Sequence, residues 1–312
     1  MNIFVSGSLA YDRIMDFPGH FADHILPEKI HLLNVCFNIN SLVEKFGGTA
    51  GNIAYSLSVL GEKPYIVATS GRDFSRYEDW LRDLQLPTRW IKPIPEVFTA
   101  GAYITTDLDD NQITAFNPGA MAFEADLPSL DDGYSPSVVF IGPGNKTDMM
   151  QFACKARRAK VPFFFDPGQS LNIWKGDELR EAVEGALCFI SNDYELSLFL
   201  QMTHWNISDL YNAVDVVITT MGPQGAVFDL KGERMLIPAI RVENVVDPTG
   251  AGDAFRAGVL KAITLNLPWD IACQMGVTIA SFSVEQYGTQ EHKCDWTSFC
   301  ARYEKAFGRL VC

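Results

Sequence analysis

Four short, almost uninterrupted apolar runs, at residues 138–141, 161–165, 186–190 and 214–218, constrain this chain more than any other feature. A strand with one wetted face alternates apolar and polar residues; these runs do not, so both of their faces need cover. Each run reads as followed by a helical stretch, which predicts an α/β fold with a mostly parallel sheet. Residues 2–6 read as a further strand ending on Gly7-Ser8, and residues 65–68 as another. The runs end in polar residues, namely Gly142, Asp166, Ser191-Asn192-Asp193 and Thr219-Thr220. In open α/β sheets ligands gather beyond such ends.

Two stretches do not follow this pattern. Residues 11–45 are irregular, with apolar patches such as Leu32-Leu33-Asn34-Val35-Cys36-Phe37 that read as β structure outside the main core. Residues 98–116 alternate on either side of Asp109-Asp110-Asn111, the pattern of a hairpin. No linker, repeat or low-complexity tract divides the chain, so the expectation is a single domain over 1–312 with a β appendage.

The 312 residues are 47% hydrophobic and 20% charged, enough for a substantial core. No apolar stretch approaches the roughly 20 residues that cross a bilayer. The first residues carry neither a basic n-region nor a small-residue cleavage site, so no secretory leader is expected. Seven scattered cysteines without a C-x-x-C suit a reduced, cytoplasmic setting better than a disulfide framework or a zinc cage. A net charge of −13 argues against nucleic acid and anionic membrane as partners. An anionic ligand would then need local devices: backbone N–H groups, a few Lys or Arg, and Mg²⁺.

Glycine-rich segments are therefore the places to look. Asp247-Pro248-Thr249-Gly250-Ala251-Gly252-Asp253 runs into an apolar helical pattern. Glycines there let N–H groups converge at a helix N-terminus, whose positive end attracts phosphate. Asp253, one turn in, would face a transferring phosphoryl group and accept the proton of an attacking hydroxyl. Gly47-Gly48-Thr49-Ala50-Gly51-Asn52 opens a second helix, with Asn52 as a hydroxyl partner or simply as an N-cap. Asn192 and Glu195 fit a capping box and equally a pair holding Mg²⁺ through water. Thr220, Gly222 and Gly225 suit a nucleotide-wrapping turn or an ordinary strand end. Ser8 and Asp12 flank the end of the first strand, where a carboxylate can take a sugar diol. Phe116 can stack on a ligand ring or merely pack.

In order and spacing these motifs resemble the ribokinase-like (PfkB-type) carbohydrate and purine kinases across nearly the whole chain. Ser6-Gly7-Ser8-Leu9-Ala10-Tyr11-Asp12, Asp166-Pro167-Gly168-Gln169, Ile113 to Met121 and Phe255-Arg256-Ala257-Gly258 narrow the likeness to bacterial adenosine and purine nucleoside kinases. A helix-opening Gly288-Thr289-Gln290 also fits. The resemblance implies a three-layer α/β/α core from residues 1–10, 46–96 and 119–312. It implies a β lid from about 11–45 and 97–118, which could serve as a homodimer contact. It further implies ATP and Mg²⁺ as cofactors and a purine nucleoside as acceptor.

By the same resemblance Asp253 is the base, and the N–H groups of Gly250, Ala251 and Gly252 form the anion hole. Asp12 and Asn52 bind ribose with Gly48 packed on the sugar, while Ser8, Phe116 and Gln169 contact the base. Asn192 and Glu195 organise Mg²⁺, Thr220, Gly222 and Gly225 touch ATP, and Asp247 with Thr249 form a monovalent-cation (K⁺) site. Cys36, Ala102 and Ser170 depart from the adenosine kinase pattern on the base side. Adenosine is the first acceptor expected; these departures make inosine or guanosine the alternative, followed by a free sugar and a non-catalytic nucleoside sensor.

Overall fold

The computed structural model describes residues 1–25, 27–32, 34–130 and 137–309; Leu33 of the apolar patch and the cysteine Cys312 lie outside these. The strands are β1 (Asn2–Ser6), β2 (Ala10–Asp16), β3 (Ser41–Gly47), β4 (Tyr65–Gly71), β5 (Ile91–Ile94), β6 (Ala100–Thr106) and β7 (Gln112–Asn117). They continue with β8 (Ser137–Ile141), β9 (Phe163–Phe165), β10 (Ala186–Asn192), β11 (Val214–Thr220), β12 (Ala226–Leu230) and β13 (Glu233–Ile237). The helices are α1 (Thr49–Val59), α2 (Ser75–Asp83), α3 (Lys146–Ala159), α4 (Gly176–Val183) and α5 (Asp193–Thr203). Then come α6 (Ile207–Ala213), α7 (Ala251–Thr264), α8 (Trp269–Ser283) and α9 (Trp296–Phe307).

Nine strands form one sheet in the order β13-β12-β11-β10-β9-β8-β1-β4-β5, parallel from β11 to β5. The uninterrupted apolar runs are explained by what lies on each face. Ile3, Val5, Phe140, Phe164, Ile190 and Ile218 point into one core with Ile53, Tyr77, Leu260, Met275 and Phe299 from α1, α2, α7, α8 and α9. Their neighbours Phe4, Val139, Ile141, Phe165, Phe189 and Val217 point into a second core with residues of α3, α4, α5 and α6. Consecutive residues of a strand face opposite ways, so a sheet covered on both sides has no polar side to alternate with.

Two expectations fail. The run at 214–218 leads not into a helix but through a short 3₁₀ turn (Gly222–Gln224) into antiparallel β12 and β13. Lys231 (φ 51°) and Gly232 (φ 89°) supply the two left-handed residues that a tight hairpin between those strands needs. The described residues of the patch at 32–37 form no strand either. Phe37 instead packs its ring 4.8 Å from Phe17 and 5.0 Å from Phe21, so this apolar patch closes a small aromatic cluster.

The remaining strands make a second sheet, β3-β2-β6-β7. It springs from the C-terminal end of central strand β1: the chain turns through Gly7 and enters β2 at Ala10, which pairs with both Gly47 and Ala100. That junction brings the small sheet to the end of the large one where α1 and α7 begin.

Candidate active site

Gly250 opens α7 in the left-handed region (φ 79°), where a side chain would also press on Thr289 at 3.0 Å. The first intrahelical bond runs from the Ala254 N–H to the Gly250 carbonyl. The amides of Gly252 and Asp253 thus belong to the first turn, whose N–H groups find no partner within a helix. Of the three amides expected to form an anion hole, that of Ala251 donates to the Pro248 carbonyl at 3.2 Å.

Gly48 opens α1 (φ 87°), and a Cβ there would lie 2.6 Å from the Ser8 carbonyl and 2.7 Å from the Ala10 amide. Only glycine lets the β1–β2 link cross the helix end this closely. Asn52 therefore lies within α1 and is not its N-cap. The Ser8 hydroxyl accepts the Thr49 N–H at 3.0 Å, so it helps fix this crossing.

These two helix starts meet. Asn52 Nδ2 donates to Asp253 Oδ2 at 2.8 Å across 201 residues of sequence. Loss of water around Asp253 pushes its carboxyl up to about 6; Arg256 and the Asn52 bond pull it back, and Asp166 and Asp12 push it further. Asp12 is likewise raised to about 6, by burial and by Asp247. Its carboxylate lies against Gly47, where a Cβ would sit 2.4 Å from Asp12 Oδ2. Asp247 gives one oxygen to the Thr249 N–H at 2.8 Å and the other to the Gly288 N–H at 3.0 Å. Residues 288–290 form a bend and turn rather than the start of a helix, because Gly288 (φ 99°) bends back to reach Asp247.

Beside the N-terminal end of α7 the structure adds a buried ion pair that the sequence motifs left without a role. Arg256 Nε donates to Asp166 Oδ2 at 2.5 Å, and Arg256 Nη1 to the Gly252 carbonyl at 3.0 Å. The side chains are 9% and 1% exposed, so the pair ties the end of β9 to the first turn of α7. The signal was present: an arginine inside Ala254-Phe255-Arg256-Ala257-Gly258 must find an acid if the helix is buried.

Asn192 and Glu195 form a reciprocal cap on α5, with Asn192 Oδ1 accepting the Glu195 N–H at 2.7 Å and Glu195 Oε2 accepting the Asn192 N–H at 2.9 Å. Burial raises the Glu195 pKa, and Asp166 adds to it. Thr220 ends β11 next to Asn192 of β10. Gly222 (φ 54°) has open space where a side chain would be, whereas a Cβ at Gly225 (φ 100°) would lie 2.1 Å from the Ile237 carbonyl. Gly225 is thus required by packing, and Gly222 leaves room. Gln169 is exposed, and Phe116 is 50% exposed on β7.

The arrangement joins helix N-terminal amides to a carboxylate that titrates near neutrality, beside an amide and a second acid able to take hydroxyls. Such a set can bind an anion and accept a proton from an alcohol placed against it.

Comparison with known proteins agrees with this chemistry. The model of the pfkB family carbohydrate kinases matches residues 15–296. A nucleoside kinase of Methanocaldococcus jannaschii is 33% identical over 291 residues, covering 92% of this chain and 95% of the relative. The nucleoside kinase of Burkholderia thailandensis, solved in complex with inosine, superposes with a TM-score of 0.86 at 36% identity over 98% of both chains. The same protein with ADP-inosine gives a TM-score of 0.83 at 37% identity, covering 98% of this chain and 96% of the other.

Proposed function

The chain belongs to the pfkB family of carbohydrate kinases, phosphotransferases that act on an alcohol, and on that premise we propose that it transfers the γ-phosphoryl group of ATP to the 5′-hydroxyl of a purine ribonucleoside. The observation that carries this reading is the 2.8 Å bond between Asn52 and Asp253, which sets a hydroxyl-binding amide beside a base at the phosphate-binding end of α7. Asp253 takes the proton of the 5′-hydroxyl as that oxygen attacks the γ-phosphorus, and the bond to the β,γ-bridging oxygen breaks. The amides of Gly250 and Gly252, with that of Ala251 shared with Pro248, stabilise the charge on the transferring group. Asn52 keeps one N–H and one lone pair beyond its bonds to Asp253 and Gln290, and these meet the ribose with Asp12. Gly48 packs against the sugar, and Ser8, Phe116 and Gln169 face the base. Thr220 and Gly222 border ATP, while Gly225 shapes that turn.

Glu195 is a half-buried acid with a raised pKa whose cap uses only one of its oxygens, an environment that a hydrated Mg²⁺ beside it and Asn192 would relieve. Such an ion would neutralise charge on the ATP phosphates. A monovalent cation at Asp247 and Thr249 fits less well, since both Asp247 oxygens already accept peptide N–H groups. The small sheet acts as a lid over the acceptor, excluding the water that would otherwise compete for ATP.

Adenosine is the first acceptor to test. Inosine is a second reading, favoured by the relative solved with inosine and by Cys36 and Ala102 on the base side. A coupled assay of ADP release over adenosine, inosine, guanosine, ribose and fructose 6-phosphate decides among these. Release with at least one nucleoside well above both sugars is expected. Phosphorylation of no nucleoside overturns the proposal, and binding without turnover returns the chain to a nucleoside sensor.

A further inference from the structure

A chain of hydrogen bonds reaches Asp253 from α2 and from the segment before α9. Trp80 Nε1 donates to Gln290 Oε1 at 3.0 Å. Gln290 Nε2 donates to the Tyr77 hydroxyl at 2.6 Å and to Asn52 Oδ1 at 3.1 Å, and Asn52 Nδ2 donates to Asp253 Oδ2. The Tyr77 hydroxyl in turn donates to the Gly47 carbonyl at 2.8 Å.

The direction of this chain follows from chemistry alone. An indole nitrogen only donates, so the Gln290 oxygen must face Trp80 and its NH₂ must face inward. Tyr77 has given its single proton to Gly47 and can only accept. The other Gln290 hydrogen therefore needs an acceptor at Asn52, which turns the Asn52 NH₂ toward Asp253. Were the Asn52 amide flipped, two oxygens would oppose each other at Asp253 and two NH₂ groups at Gln290. A second feature shows that space is kept for this arrangement. Gly51, in the first turn of α1, could not carry a Cβ, which would lie 1.9 Å from the Tyr77 hydroxyl and 3.0 Å from Gln290 Nε2. Gln290 itself is 4% exposed, so it has no free water to satisfy its amide.

We infer that Gln290 is a positioning residue for phosphoryl transfer: it locks the Asn52 amide so that Asn52 donates to, and aims, the base Asp253. The inference rests on Asp253 acting as the base. Gln290 bonds to Asn52 and not to Asp253 itself, so its effect passes through Asn52.

The test is the pH profile of kcat/KM for the nucleoside at saturating ATP, in Gln290→Met, Trp80→Phe and Asp253→Asn. Gln290→Met keeps length but removes both polar ends; Trp80→Phe removes the indole donor with part of the ring and keeps a smaller aromatic ring beside Phe46. An N–H bond favours the ionised carboxylate, so its loss raises the pKa of the base. The charged groups acting on Asp253, namely Arg256, Asp166 and Asp12, are untouched in both variants. Gln290→Met is expected to move the acidic limb up by about half to one pH unit, the scale of a charge-assisted hydrogen bond, and to lower kcat about tenfold. Trp80→Phe should move it the same way by less, with KM for ATP unchanged in both. A folded Gln290→Met with an unmoved limb overturns the inference, whatever its loss of thermal stability. Should Gln290→Met fail to fold, Trp80→Phe decides: a shifted limb supports the inference and an unshifted one overturns it. Asp253→Asn separates the two levels. If it still turns over, the base assignment falls and takes this inference with it; if it is dead while Gln290→Met keeps the parental limb, Gln290 alone is wrongly assigned.

Discussion

The two ends of the site are built from different material. The end proposed to hold the phosphoryl group sits on the large sheet, where Arg256 and Asp166 are buried, Asn52 is 5% exposed and Gly48 is fixed by close backbone contacts. The acceptor end leans on the small sheet, whose outer strand β7 leaves every residue from Gln112 to Asn117 exposed. A buried, hydrogen-bonded network holds one geometry, because any other leaves polar groups unpaired. A half-solvated sheet edge holds its side chains loosely and tolerates exchange. The contrast teaches that transfer chemistry and acceptor choice can change separately if, as proposed, the first rests on buried, hydrogen-bonded groups and the second partly on the exposed edge of the small sheet.

The largest expected break is Asp253→Asn. It should lower kcat by at least ~10²-fold, the scale of a general base, with the Kd for the nucleoside nearly unchanged by calorimetry. The same variant should be more stable than the parent at pH 7.5. A carboxyl raised from 3.8 to about 6 in the folded state opposes folding when ionised, by about 3 kcal/mol. Below about pH 4 both folded and unfolded chains hold that proton and the cost is gone. The difference in Tm between variant and parent should therefore be widest above pH 6 and close on acidification toward pH 4. A variant that turns over, or one less stable than the parent at pH 7.5, breaks the picture of a strained, pre-set phosphoryl end.

Next is Arg256→Met. It leaves the Asp166 carboxylate buried beside Glu195 without its cation, which typically costs about 3–5 kcal/mol. Chemical denaturation should show that loss in the midpoint with little change of slope. Activity should fall as well, since Arg256 also holds the Gly252 carbonyl at 3.0 Å and with it the first turn of α7. A loss below ~1 kcal/mol would mean that the pair is not what secures this end.

The contrast also marks what was legible in the sequence. The parallel sheet could be read because its central strands are buried on both faces, and the glycine motifs because their geometry is local. The hairpin after β11 could not be read from the run at 214–218, since double-sided burial says nothing about the next element; Lys231-Gly232 was the available sign. Residues 32–37 misled because an aromatic cluster and an edge strand both look like a short apolar patch. The Asp166–Arg256 and Asn52–Gln290 contacts span 90 and 238 residues. Composition could require a partner for each buried polar group, but only the fold could say which one.

The acidic limb of kcat/KM is a milder probe of the same end. With the Asp253 and Asp12 carboxyls both raised to about 6, the parent should lose activity steadily as pH falls through 6, approaching tenfold per unit once the base is protonated. Because Asp12 pushes the Asp253 carboxyl up, Asp12→Asn should shift the limb downward. A limb that stays near pH 4 would show that the carboxyl on which turnover depends is not raised to about 6.

The smallest effect is expected at the acceptor end, from Phe116→Ala. Phe116 pairs with Ala102 across β6 and β7 and is half exposed, so the folded state gains little from it and Tm should hold within a degree or two. Its value would appear only when a base stacks on the ring, an interaction of about 1–3 kcal/mol for aromatic side chains against bases. KM for the nucleoside should then rise by roughly five- to a hundredfold with kcat nearly intact, because the 5′-hydroxyl is still placed by Asn52 and Asp12. Since any purine offers a stacking face, adenosine and inosine should suffer alike and ribose not at all. A fall in kcat with KM unchanged would mean that the small sheet takes part in the chemistry, and the separation between the two ends would not hold.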